Sequence, residues 1–214
     1  LNIRRFIIFQ MTINVCACLI VLLGSFVGLD SPLTVTQMLW VNLIMDTFAA
    51  MALSSLPADR TVLYDKPRNP DSHIIDRKML CRILGGGLVF FVLLAALWQL
   101  LWHTNIDSVK DLLSPQSLKM FFAGFSNMER IKSHLSGYEL GVFFSIFVML
   151  QFWNLFNAKY FRTDRSLIQD IARLFINPKA VKESYSAGFL WIAIAILAGQ
   201  VLIVTYAGAM FNVA

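Results

Sequence analysis

Five apolar stretches, each long enough to cross a bilayer as a helix, divide this chain: roughly Phe6 to Gly28, Val35 to Leu56, Ile83 to Trp102, Tyr138 to Asn157, and Ala187 to Ala207. A hydrocarbon core about 30 Å thick needs about 20 apolar residues per helical crossing. Without water to satisfy the backbone, only helices and closed barrels cross it, and runs of this length select helices. The expected fold class is all-α, a polytopic transmembrane bundle of five membrane-spanning helices. The composition agrees, at 57% hydrophobic and 14% charged with a mean hydropathy of +0.66. Soluble domains carry about 25% charged residues.

The net charge of +5 invites a nucleic-acid partner, but the placement of the charges argues against one. Arg4 and Arg5 precede the first span, and Arg60, Lys66, Arg68, Arg77, Lys78 and Arg82 follow the second. Lys159, Arg162, Arg165, Arg173, Lys179 and Lys182 follow the fourth. With alternating spans these fourteen of eighteen basic residues share one side. The positive-inside rule makes that side, and the N-terminus, cytoplasmic. The partner is the lipid bilayer, with no nucleic acid.

Leu29–Leu33 is a minimal turn, so the first two spans form an antiparallel hairpin, with Pro32 as the start signal of the second. Amphipathic helices are expected over Ser117–Phe125 and Ser166–Phe175. The organisation read from this pattern is a helical hairpin over 1–57, a cytoplasmic loop over 58–82, and support helices over 83–214. Within the last part, 103–137 is an outer loop and 158–185 a cytoplasmic one. Gly24/Gly28 and Gly137/Gly141 permit close helix contacts, and Gly85-Gly86-Gly87 either loosens the third span or admits a neighbouring backbone. Cys16, Cys18 and Cys81 read as small apolar fillers, and His73, His103 and His134 show no metal spacing. The first residue is Leu, which reads as a fragment or a processed chain; the first span is too long for a signal peptide and lacks its cleavage site.

Apart from Glu139 at the start of the fourth span, Asp46 is the only acid within these segments. A carboxylate inside a membrane costs at least ~2.5 kcal/mol on insertion scales, so it needs a partner or a task. Asn42 lies one helical turn before it and is expected on the same face. The preceding span offers Asn14, with Thr12 and Gln10 toward its start, and Gln151 of the fourth span is an accessory candidate. Oxygen donors from two linked helices suit a hard cation such as Ca2+, which takes about six to eight oxygens. One carboxylate and two amides leave a divalent ion under-neutralised, so a further acid is expected from a segment outside this chain.

FQMTINV at 9–15, TQMLWVNLIMDTFAAMAL at 36–53 and FVMLQFWNLFNAK at 147–159 resemble the membrane domain of type II P-type cation-transporting ATPases, and most closely the plasma-membrane-type calcium ATPases. Tyr64-Asp65-Lys66-Pro67 is a weaker echo. The resemblance implies that the five spans are the fifth to ninth of ten family helices, in a plasma or cell inner membrane. It makes Asn14 the fifth-helix ligand, and Asn42 and Asp46 the sixth-helix ligands. Ala17 and Met45 stand where two-site calcium pumps carry glutamate and threonine, and Gln151 where they carry an eighth-helix glutamate. A single transported Ca2+ is implied.

The phosphorylation motif Asp-Lys-Thr-Gly-Thr, the nucleotide-binding domain and the fourth-helix Pro-Glu-Gly-Leu-Pro do not occur in this chain. ATP and Mg2+ would act through domains of a longer parent, and the chain alone is expected to be inactive. A channel or exchanger working without ATP, and a non-catalytic membrane scaffold, are the alternatives.

Overall fold

A computed structural model describes residues 1–28, 32–56, 74–104, 134–161 and 187–206, with isolated positions 114, 115, 119, 122 and 169. Apart from the isolated positions 119, 122 and 169, the two expected amphipathic helices lie outside the described residues, as do most of the three expected loops. The described chain is helical: α1 Asn2–Val27, α2 Val35–Trp40, a π-helical segment Val41–Met45, α3 Asp46–Ser54, α4 Arg77–His103, α5 Gly137–Lys159 and α6 Ala187–Tyr206. By length and composition α1, α4 and α5 are able to cross a membrane. The second expected span exists, but in two α-helical pieces joined by the π segment, and α6 forms the fifth. The result is an all-α bundle with the expected five segments.

Local chemistry sets the boundaries. The second segment begins at Val35, as expected, with Thr34 as its N-cap. The Thr34 hydroxyl accepts from the Gln37 N–H at 3.3 Å, and the Gln37 amide oxygen accepts from the Thr34 N–H at 2.8 Å. Ser136 and Glu139 close the same reciprocal box at the head of α5. Asp76 caps α4 by accepting from the Met79 N–H at 2.8 Å. Gly28 ends α1 at φ 68°, with its N–H on the Gly24 carbonyl. Gly28 is therefore a helix stop, in the left-handed conformation that glycine tolerates.

The ends of the helices show that the segments alternate. The start of α1 meets the end of α3 where the Asn2 amide donates to the Leu56 carbonyl at 3.5 Å. Arg4 of α1 pairs with Asp76, the cap of α4, at 3.2 Å. The Arg82 guanidinium at the start of α4 sits 5.7 Å from the Phe161 ring centroid, just past the end of α5. Gly188 at the start of α6 lies against Ser55. Five helix ends thus gather on one side of the bundle, the side that carries Arg4, Arg5, Arg77, Lys78, Arg82 and Lys159 among the described residues.

Helix α1 is the hub, and α4 is its most extensive partner. A β-carbon on Gly87 would sit 2.8 Å from Val15 Cγ1 and 3.2 Å from the Thr12 carbonyl oxygen. On Gly86 it would sit 3.2 Å from Thr12 Cγ2. The glycine run lets a neighbouring backbone in and does not loosen α4, which stays α-helical throughout. Phe9, Ile13 and Ile20 of α1, Leu94 and Leu101 of α4, and Phe143 and Phe147 of α5 form the fully buried centre. Across it the Asn154 amide donates to the Phe9 carbonyl at 3.1 Å, a buried bond between α5 and α1.

Candidate functional site

Where the second segment passes from α2 into α3, the ladder widens: the Asp46 N–H bonds to the Val41 carbonyl, five residues back. Such π turns inside α-helices recur at functional sites. Directly after it stands Asp46, 6% exposed, with neither carboxylate oxygen in hydrogen-bond contact. The Gln10 side chain interacts with it from α1, outside hydrogen-bond geometry. A buried carboxylate normally accepts several bonds or meets a cation, and this one has only the Gln10 side chain beside it.

The other sequence candidates do not all converge on it. Asn14 is half-buried on α1, and Asn42, inside the π segment, is exposed. The equal placement expected of Asn42 and Asp46 rested on the 3.6-residue period of an unbroken α-helix. The π segment changes that period between them, and the two side chains differ in burial. Thr12 is buried against Gly86 of α4 and belongs to a helix crossing. Gln151 is 1% exposed with both amide atoms unpartnered, a second polar group held in the interior without a bond. Ala17 and Met45 are buried and apolar. Thr47 bonds back to the Leu43 carbonyl at 2.5 Å, inside its own helix.

Two polar groups escaped the sequence reading. Asn154 lies in a stretch quoted above, but only the fold reveals its bond to Phe9. Gln200 of α6 is buried with both amide atoms unpartnered. A lone amide within a long apolar run was its one available signal. Among the described residues, no three His, Cys, Asp or Glu side chains come together as a metal site. Cys16, Cys18 and Cys81 are free thiols.

The comparisons with known proteins agree with the motifs. The chain is 33% identical to the human (Homo sapiens) protein named plasma membrane calcium-transporting ATPase 3, over 99% of its own length and 15% of that protein's. It is 33% identical to plasma membrane calcium-transporting ATPase 2 of Oreochromis mossambicus, over 99% of this chain and 16% of that one. With plasma membrane calcium-transporting ATPase 1 of Oryctolagus cuniculus the identity is 31%, over 99% and 15%. The chain therefore spans about 15% of the length of these curated relatives. Residues 30–214 match the family described as cation transporting ATPase, C-terminus. With its apolar helical bundle and its buried, unpartnered aspartate, the chain belongs to the C-terminal membrane domain family of the cation-transporting ATPases.

Proposed function

We propose that this chain is the transport-domain part of an ATP-driven calcium pump and supplies Asn14, Asn42 and Asp46 to a single intramembrane Ca2+ site. The observation that carries this reading is Asp46, buried beside a π turn with two unpartnered oxygens. A scaffold gains nothing from such a group, since an uncompensated charge in the interior destabilises. A cation binder does gain, because a carboxylate in a water-poor medium attracts a divalent ion far more strongly than in water.

The half-buried Asn14 and exposed Asn42 fit a site that this chain leaves open on one side. The preceding part of the parent would cover that side and bring the missing acid. Gln151, buried and unpartnered, is the accessory donor. Buried apolar Ala17 and Met45 favour one ion over two. In this reading 1–57 is the ion-site hairpin and 83–214 its support, with the basic ends of the bundle cytoplasmic. ATP and Mg2+ act on the remaining domains of the parent, and the chain alone is inactive. The plasma membrane is the expected location, after the names of the relatives.

Calcium-dependent phosphoenzyme formation in the full-length protein tests this directly. Asp46→Asn keeps shape and hydrogen bonding but removes the charge, and calcium affinity should fall by more than about tenfold, the loss of one charge-assisted ligand. Asn42→Ala should weaken it less. Unchanged calcium dependence in a well-expressed Asp46→Asn protein would remove Asp46 from the site. The pair Ala17→Glu with Met45→Thr should raise the calcium transported per cycle from one ion towards two, read as 45Ca uptake per ATP.

A further inference from the structure

Between the interrupted segment and the last two helices lies a cavity of about 220 Å³. Trp40, Met45 and Phe48 line it on one side, Val148 of α5 on another, and Ala195, Ile196, Gly199 and Gln200 of α6 on the third. Met45, Val148, Ile196 and Gln200 are buried and form its floor, whereas Ala195 is exposed and Gly199 half-buried at its mouth. No charged residue lines it. Gln200 is 7% exposed, and neither its amide nitrogen nor its amide oxygen has a partner.

These features restrict the occupant. An engineered apolar cavity of about 150 Å³ binds benzene, so this one has room for a somewhat larger body. Water alone fits poorly, because a buried water wants about two to four polar partners and the walls here are mostly apolar. A lipid acyl chain fills the volume but leaves both Gln200 atoms unsatisfied. An ion would meet no charge and a single side-chain amide on these walls, far short of a coordination shell. A planar group with a donor beside an acceptor satisfies both amide atoms at once, and an apolar body satisfies the rest. Small-molecule sites are commonly of this kind, apolar clefts with a few polar groups that fix orientation.

We propose that this cavity binds a compact, neutral, mostly apolar molecule taken from the bilayer, of about nine to thirteen heavy atoms and with one carboxamide-like group paired to Gln200. Met45 directly precedes Asp46 and Phe48 lies two residues after it, so a bound molecule presses on the segment that carries the buried aspartate. The site is a place where a membrane-soluble compound reaches that segment without entering from water. Its existence does not depend on what Asp46 binds.

The test uses the complete protein in lipid nanodiscs, with 2-naphthamide as the probe and naphthalene as the analogue lacking the polar group. Wild type should bind 2-naphthamide saturably, one per protein, above the partitioning into empty nanodiscs. Gln200→Leu should weaken that binding roughly tenfold, the size expected for losing bonds to a buried amide, and should leave naphthalene within about twofold. Gly199→Leu should abolish binding of both, since an added β-carbon there meets nothing within 4 Å and the side chain has space to fill the cavity. If Gly199→Leu does not fold, Ala195→Phe at the mouth serves as the block. Non-saturable uptake in wild type overturns the proposal, as does binding indifferent to the blocking variant. Binding that is blocked by filling but unaffected by Gln200→Leu marks a slot for acyl chains only, and overturns it too.

Discussion

The α1–α4 seam and the Val35–Ser54 segment treat the interior in opposite ways. At the seam, Gly86 and Gly87 remove side chains until Thr12 and Val15 touch backbone, and α4 runs unbroken for 27 residues. In the other segment the helix is interrupted by a π turn, and a carboxylate is buried without a bond. The first maximises contact through close backbone approach. The second gives up regularity and keeps a buried carboxylate without a bond. Close packing without lipid-exposed polar groups is how membrane helices associate. A segment that departs from it in both backbone and charge is where function concentrates, because such strain persists only when something offsets it.

The sharpest way to break the contrast is at the seam. Gly87→Leu would drive a side chain into Val15 and the Thr12 carbonyl, and should cost about 3 kcal/mol, the upper range for overpacking. Gly85→Leu two positions away meets nothing within 4 Å and serves as its control. The check is the fraction of monodisperse protein in detergent and its melting midpoint. If both variants behave alike, the seam is not closed by glycine.

Asp46→Leu should do the reverse and stabilise the calcium-free protein by about 2.5 kcal/mol, the insertion cost of a mid-membrane carboxylate. It should also erase any stabilisation that calcium gives wild type. Thermal melting with and without calcium reads both effects. A destabilised variant would mean that Asp46 has a structural partner.

Asp76→Ala removes the α4 cap and the Arg4 pair together, and should cost about 1 kcal/mol, mostly from the cap. Arg4→Met alone should cost less, because a single ion pair with one partner substantially exposed contributes little. A double-mutant cycle at these two positions separates the parts. The smallest effect is expected at Asn154→Leu, about 0.6 kcal/mol, the average for a hydrogen bond between membrane helices. Its readout is helix-specific hydrogen exchange at the facing turns of α1 and α5.

The helices were legible in the sequence because apolar length alone identifies them, within a few residues at most ends. The glycine run announced a special contact, though not whether it opened α4 or admitted α1. The π turn was not legible: it is a slip of one residue in the hydrogen-bond ladder, and VNLIM carries no side-chain mark of it. The missed turn explains why Asn42 and Asp46, expected on one face, differ in burial. The burial of Asp46 followed from its position among apolar neighbours. The bond from Asn154 to Phe9 joins residues 145 apart, and no local pattern encodes a pairing of that range.

That bond also bears on how α5 and α1 slide past one another. In hydrocarbon there is no water to replace a broken amide–carbonyl contact. Tilting α5 about Asn154 keeps the bond, whereas sliding one helix along the other breaks it. At about 0.6 kcal/mol such a bond biases the register of the two helices and does not lock it.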